Sequence, residues 1–133
     1  MPVTAQPLFD PSVLRAYDIR GIYGKTLHPE SGRHVAAGLI HLARAELGKQ
    51  VLRVVIGRDG RQGSQTLLNE AVSVFVRAGH QVDEVGLVTS PMLYYSVFSG
   101  DYDVGVMVTA SHNPEEYNGF KIDRKSTRLN SSH

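Results

Sequence analysis

The 133 residues amount to about one domain, and a chain of that size can hide roughly two-thirds of its unfolded surface. With 41% hydrophobic residues and no cysteine, pervasive disorder, a disulfide frame and a thiolate metal site are all excluded. The net charge of +1 gives no support to a nucleic-acid partner: residues 1–122 hold 11 Lys/Arg against 12 Asp/Glu, and the basic excess comes from Arg124, Lys125 and Arg128.

The first twelve residues, MPVTAQPLFDPS, lack the basic start and apolar stretch of a signal peptide, and no apolar run is long enough to span a bilayer. A cytoplasmic protein without a membrane partner is expected. Pro29 to Leu47 repeats apolar residues at Val35, Leu39, Leu42 and Ala43, which predicts a helix opened by Pro29 and ended by Gly48. Leu52 to Ile56 is a β-branched run of buried-strand type. Ser64 to Ala78 is a second helix, closed by Gly79. Val82 to Val88 is a looser strand, and Ser90-Pro91 opens a shorter helix through Tyr94 and Val97. Val104 to Thr109 is another buried strand, and Tyr117 to Ile122 a further one after a turn at Asn113-Pro114.

Strands alternating with helices predict an α/β fold: a three-layer α/β/α domain with a mostly parallel, mixed sheet. Ligands in such sheets gather beyond the carboxyl ends of the strands. Three polar loops belong there: Gly57-Arg58-Asp59, Thr89-Ser90-Pro91 and Ala110 to Pro114. The last is the most informative. Ser111 follows a buried strand and precedes a proline, so it stands on a turn where a serine can act as a nucleophile or carry a phosphoryl group. No G-x-S-x-G elbow marks a hydrolase, and His112, its immediate neighbour, is poorly placed to act as its base.

Four segments together resemble one family. Gly105 to Ile122, GVMVTASHNPEEYNGFKI, is similar to the active-serine loop of the α-D-phosphohexomutases, and Leu14 to Gly21, LRAYDIRG, resembles their amino-terminal loop. Ile56 to Arg61, IGRDGR, and Gly86 to Tyr95, GLVTSPMLYY, match two further segments in the expected order. LRAYDIRG, Tyr117 and Phe120 favour the phosphomannomutase/phosphoglucomutase branch. One departure is Gly63, where the family pattern often has a serine.

The resemblance implies that Ser111 is stored as phosphoserine and exchanges its phosphoryl group with hexose phosphates through a hexose 1,6-bisphosphate. It implies Mg²⁺ held partly by the Ser111 phosphate. It places Arg20, Lys121 and His112 among the catalytic residues and lets Tyr17 line the substrate site. Arg58, Asp59 and Arg61 read better as a network bracing the serine loop than as substrate contacts. Asn113 and Asn118 read as turn-fixing residues, Gly119 as a backbone needing special freedom, and His28, His34, His41 and His80 as helix or surface histidines. The family's aspartate-rich metal loop, its sugar-recognition loop and its distal phosphate-binding loop do not occur here, so downstream domains of the same chain are expected partners and this chain is expected to be inactive alone. A non-catalytic phosphate-binding module is the alternative, with a serine hydrolase a distant third. Residues 123–133, DRKSTRLNSSH, look like a translated sequencing adapter and are expected to be a non-native tail.

Overall fold

The computed structural model describes residues 16–99 and 102–124. The elements in chain order are β1 (Ala16–Ile22), α1 (Ser31–Leu47), β2 (Arg53–Arg58), α2 (Ser64–Arg77), β3 (Gln81–Leu87), α3 (Ser90–Ser99), β4 (Val104–Val108) and β5 (Tyr117–Arg124). The sheet order is β1-β5-β4-β2-β3. β3, β2 and β4 are parallel, while β5 runs antiparallel to both β4 and β1. Four strands therefore share one direction and β5 alone opposes them, as a mostly parallel mixed sheet requires.

Strand alternation divides the core between two faces. Val54 and Ile56 of β2, Val104, Val106 and Val108 of β4, and Phe120 and Ile122 of β5 pack against α1 and α2. Val55 and Met107 point the other way, onto Leu93 and Val97 of α3. Burying an aromatic such as Phe120 completely is worth about 1.5–3 kcal/mol over leaving it exposed, and Phe120 is fully buried. The three layers expected from the sequence are present, with their boundaries shifted by a residue or two.

Four readings change. Most of LRAYDIRG is not loop: residues 16–22 form β1 on the sheet edge, in register from Ala16 opposite Asp123 to Ile22 opposite Tyr117. Pro29 does not open α1. Its carbonyl and that of His28 close tight turns to Gly32 and Ser31, at 3.1 and 2.8 Å, and the helix follows. His80 is neither helical nor superficial. It is 6% exposed, and its Nδ1 accepts the Leu52 N–H at 2.9 Å. Strand pairing also continues through Asp123 and Arg124, opposite Gly105 and Val104, two residues into the expected tail; residues 125–133 lie outside the described residues. Among the described residues no helix is long and apolar enough to cross a membrane.

Because β2, β3 and β4 are parallel, the loops after Arg58, Leu87 and Val108 emerge at one end of the sheet. The opposite end is closed by His80 and by Lys49, whose ammonium pairs with the buried Asp103 carboxylate at 3.0 Å.

Candidate active site

β4 ends at Val108 and the chain turns at once. The Asn113 N–H donates to the Ala110 carbonyl at 3.1 Å, which makes Ser111 the first central residue of a β-turn. Its φ is +55°, the only positive φ of a non-glycine among the described residues. A turn with positive φ at its first central position and an ordinary one at its second has the II′ pattern, where glycine is usual. Keeping a serine there costs about 1–3 kcal/mol, so its surroundings must hold it.

They do so through both of its backbone polar groups. The Ser111 N–H donates to Thr109 Oγ1 at 3.0 Å, and that hydroxyl donates to Asp59 Oδ2 at 2.7 Å. The Ser111 carbonyl accepts from Arg61 Nη2 at 2.6 Å. The same nitrogen reaches the Asn113 carbonyl at 2.8 Å, while Nη1 reaches the carbonyls of Pro114 at 2.7 Å and Tyr117 at 3.1 Å. Arg61 Nε lies 3.3 Å from Asp59 Oδ2. Asp59 Oδ1 in turn accepts from the Ser64 hydroxyl at 2.8 Å and the Arg61 N–H at 3.1 Å. The bracing expected of this segment thus falls to Asp59 and Arg61, while among the described residues the Arg58 guanidinium bonds only the Asp59 carbonyl, at 3.2 Å.

The network extends under the turn. Asn118, fully buried, donates to Ser64 Oγ at 2.9 Å and to the Gln62 carbonyl at 3.0 Å. It ties β5 to the start of α2 instead of fixing a turn. Gly119 has no positive φ; what it needs is room, since a Cβ there would sit 2.0 Å from the Ile19 carbonyl oxygen. Gly63 opens α2 at φ +86°, and a Cβ there would meet the Tyr23 ring at 2.6 Å.

Arg20 approaches from the other flank. Its Nε and Nη2 hold Asp18 at 2.8 and 2.7 Å, and Nη1 donates to Asn113 Oδ1. Asn113 therefore positions an arginine through its side chain rather than fixing the backbone. The hydrogen bond to Asp18 raises the guanidinium's pKa above its already high value, so it is cationic at any working pH. Lys121 stands in register opposite Asp18 and Met107, on the same sheet face as Arg20. Lys121 is half-buried, and among the described residues its ammonium has no hydrogen bond or ion pair. His112 is exposed and likewise unpartnered among them. Tyr17 sits opposite Ile122 in β1; its side chain lies outside the described residues.

An open groove of about 750 Å³ lies beside the turn, with Ser111, Asp59, Arg61, Asn113, Glu115 and Glu116 in its walls. Of the expected catalytic residues only Ser111 lines it. Arg20 joins through Asn113, and Lys121 and His112 stand outside. Sequence reasoning missed Thr109 and Ser64. Thr109 carried a usable signal, because a threonine two residues before the serine can bond its backbone locally.

These features point to one family, and comparison with known proteins decides it. A profile described as phosphoglucomutase/phosphomannomutase, alpha/beta/alpha domain I, matches residues 12–131. The chain belongs to the phosphoglucomutase/phosphomannomutase family. It is 46% identical to a phosphomannomutase/phosphoglucomutase from Pseudomonas putida over 84% of its own length and 23% of that protein's. It is 42% identical to a phosphoglucomutase from Neisseria meningitidis over 83% of its length and 23% of the relative's. A family protein from Burkholderia thailandensis superposes with a TM-score of 0.68 at 32% identity, covering 86% of this chain and 26% of that one. The chain thus spans about a quarter of the length of the relatives it matches.

The Mg²⁺ that family membership brings to mind does not fit the residues described. No three His, Asp or Glu side chains among them gather into a cation site. Both oxygens of Asp59, the carboxylate that braces the turn, already accept protein donors.

Proposed function

We propose that this chain is the active-serine domain of a phosphomannomutase/phosphoglucomutase that interconverts hexose 1-phosphate and hexose 6-phosphate. The observation that carries the reading is Ser111 itself: a serine kept in a glycine-type turn at the carboxyl end of a strand, tethered at N–H and carbonyl, with a fixed guanidinium beside it. Such a serine suits a group that must return to one position every cycle. Phosphoryl transfer asks for in-line placement and charge neutralisation above all.

In the proposed cycle Ser111 rests as phosphoserine. A sugar hydroxyl attacks phosphorus, the P–Oγ bond breaks, and a P–O bond to the sugar forms, giving hexose 1,6-bisphosphate. The hydroxyl proton passes to a base, for which Lys121 and His112 are the candidates, and an equal proton goes to the departing Ser111 Oγ. The bisphosphate then returns its other phosphate to Ser111. Arg20 presents its fork to the phosphoryl oxygens, and Tyr17 borders the sugar. A metal would touch this chain through the Ser111 phosphate, its carboxylate ligands coming from outside the described residues. The greater length of the relatives supports further domains that read the sugar and grip its far phosphate, acting on soluble sugar phosphates in the cytoplasm.

A coupled assay with Mg²⁺ and hexose 1,6-bisphosphate tests this. Ser111→Ala in the intact gene product should lose about a thousandfold or more of turnover, as removal of an attacking serine commonly does. The 133-residue chain alone should show none. Full activity in Ser111→Ala, or turnover by the short chain within about tenfold of the intact protein, a loss far smaller than lost positioning causes, would contradict the proposal.

A further inference from the structure

We infer that Thr109, Asp59 and Arg61 form one positioning unit that sets the reactivity of Ser111, and that Arg61, although it lines the groove, is not a ligand for the substrate's phosphate. The inference rests on the reading of Ser111 as phosphoryl carrier. A guanidinium has five N–H donors. Four of those of Arg61 donate to backbone carbonyls, two at Nη1 and two at Nη2, and the fifth, at Nε, faces the Asp59 carboxylate in an ion pair at 3.3 Å. Neither Nη has a donor left for an anion, and Nε sits against a negative charge. Arg20, by contrast, has three bonds, which leaves it two N–H groups.

The Thr109 hydroxyl is the link that makes the unit specific. A carboxylate only accepts, so the single Thr109 proton goes to Asp59 and its lone pair is left for the Ser111 N–H. Thr109 is 5% exposed, so water cannot readily replace either bond. Ser111 is therefore held on its amino side by the Asp59–Thr109 pair and on its carbonyl side by Arg61, across the one non-glycine residue of positive φ among those described. In-line transfer punishes a misplaced oxygen: a shift of about 1 Å can cost about a hundredfold. The unit should thus act on the chemical step and leave substrate affinity nearly alone.

The test compares Thr109→Val, which deletes the hydroxyl, with Thr109→Ser, which keeps it, and with Arg61→Lys, which keeps the charge and loses the fork. Kinetics on the intact gene product should show Thr109→Val and Arg61→Lys lowering kcat by about tenfold or more, with KM within about threefold and Thr109→Ser near wild type. Amide hydrogen exchange by NMR on the 133-residue chain gives a readout independent of turnover. The Ser111 N–H should exchange about tenfold faster or more in Thr109→Val, since it loses its only acceptor, and at the native rate in Thr109→Ser. Wild-type kcat in Thr109→Val, a rise in KM with kcat intact, or unchanged Ser111 exchange overturns the inference. If Thr109→Val loses its folded spectrum, Arg61→Lys decides on the same measurements. If the wild-type protein shows no turnover, the mutase reading falls while the exchange comparison still decides whether the unit holds Ser111.

Discussion

Arg61 and Arg20 both reach the turn that carries Ser111, from opposite flanks. Arg61 is 15% exposed and gathers four carbonyls and a carboxylate into one cluster. Arg20 is 33% exposed, shares its charge with Asp18, and among the described residues its one hydrogen bond to the turn is to Asn113. The first arrangement fixes backbone and leaves no Nη donor for a ligand; the second leaves a fixed cation with donors to spare. The same side chain thus does structural work on one flank and keeps chemical capacity on the other. What separates them is the number of acceptors within reach, not charge.

The largest way to break this comparison is at Gly119, which stands opposite Arg20. A Cβ there meets the Ile19 carbonyl at 2.0 Å and Arg20 Cα at 2.9 Å. Both are backbone and cannot swing aside, so Gly119→Ala should cost about 3 kcal/mol or more and displace β1 together with Arg20. Near-native stability in urea would show that β1 moves freely. Next is the pair Arg61→Ala and Arg20→Ala. The first orphans several part-buried acceptors and should cost about 2–3 kcal/mol. The second removes a partly exposed ion pair and should cost about 1 kcal/mol or less, yet depress turnover far more than stability. Equal stability losses for the two would erase the distinction.

The smallest effect belongs to the far end of the sheet and acts as a control. Desolvation of the His80 ring, aided by the nearby Arg44 charge, lowers its pKa, so the folded chain binds this proton less readily than the unfolded one. The stability it protects is present above the unfolded value of about 6.5 and is lost as pH falls below it. Melting temperature should decline from pH 7.5 to 5.5, and less steeply in His80→Asn, with the Ser111 turn unaffected until the whole domain melts. A flat profile, or the same slope in His80→Asn, would remove His80 as the cause.

Much of this was legible in the sequence, where periodicity was strong. The β-branched runs of β2 and β4 and the apolar spacing of α1 and α2 have one buried solution each. β1 was missed although Asp18 and Arg20 alternate with Ile19, because seven residues around two charges read as loop until β5 supplies a partner. Arg61 and Asp59 could be read as a brace from their types and position. The Thr109 relay could not be ranked, because whether a threonine bonds locally or faces solvent depends on where the neighbouring strand ends. The role of Gly119 was misread for a similar reason: its constraint comes from the approach of β1, which no local pattern reveals.

The central claim is that Ser111 in this held turn carries the phosphoryl group, and transfer of phosphate tests it most directly. Dephosphorylated intact protein is incubated with hexose 1,6-bisphosphate, digested, and its phosphate located by fragment mass spectrometry before and after a chase with excess hexose monophosphate. Phosphate should appear on Ser111 and the chase should remove it. A stable phosphate found only on another residue, or none on Ser111 in a protein that still turns over, would contradict it.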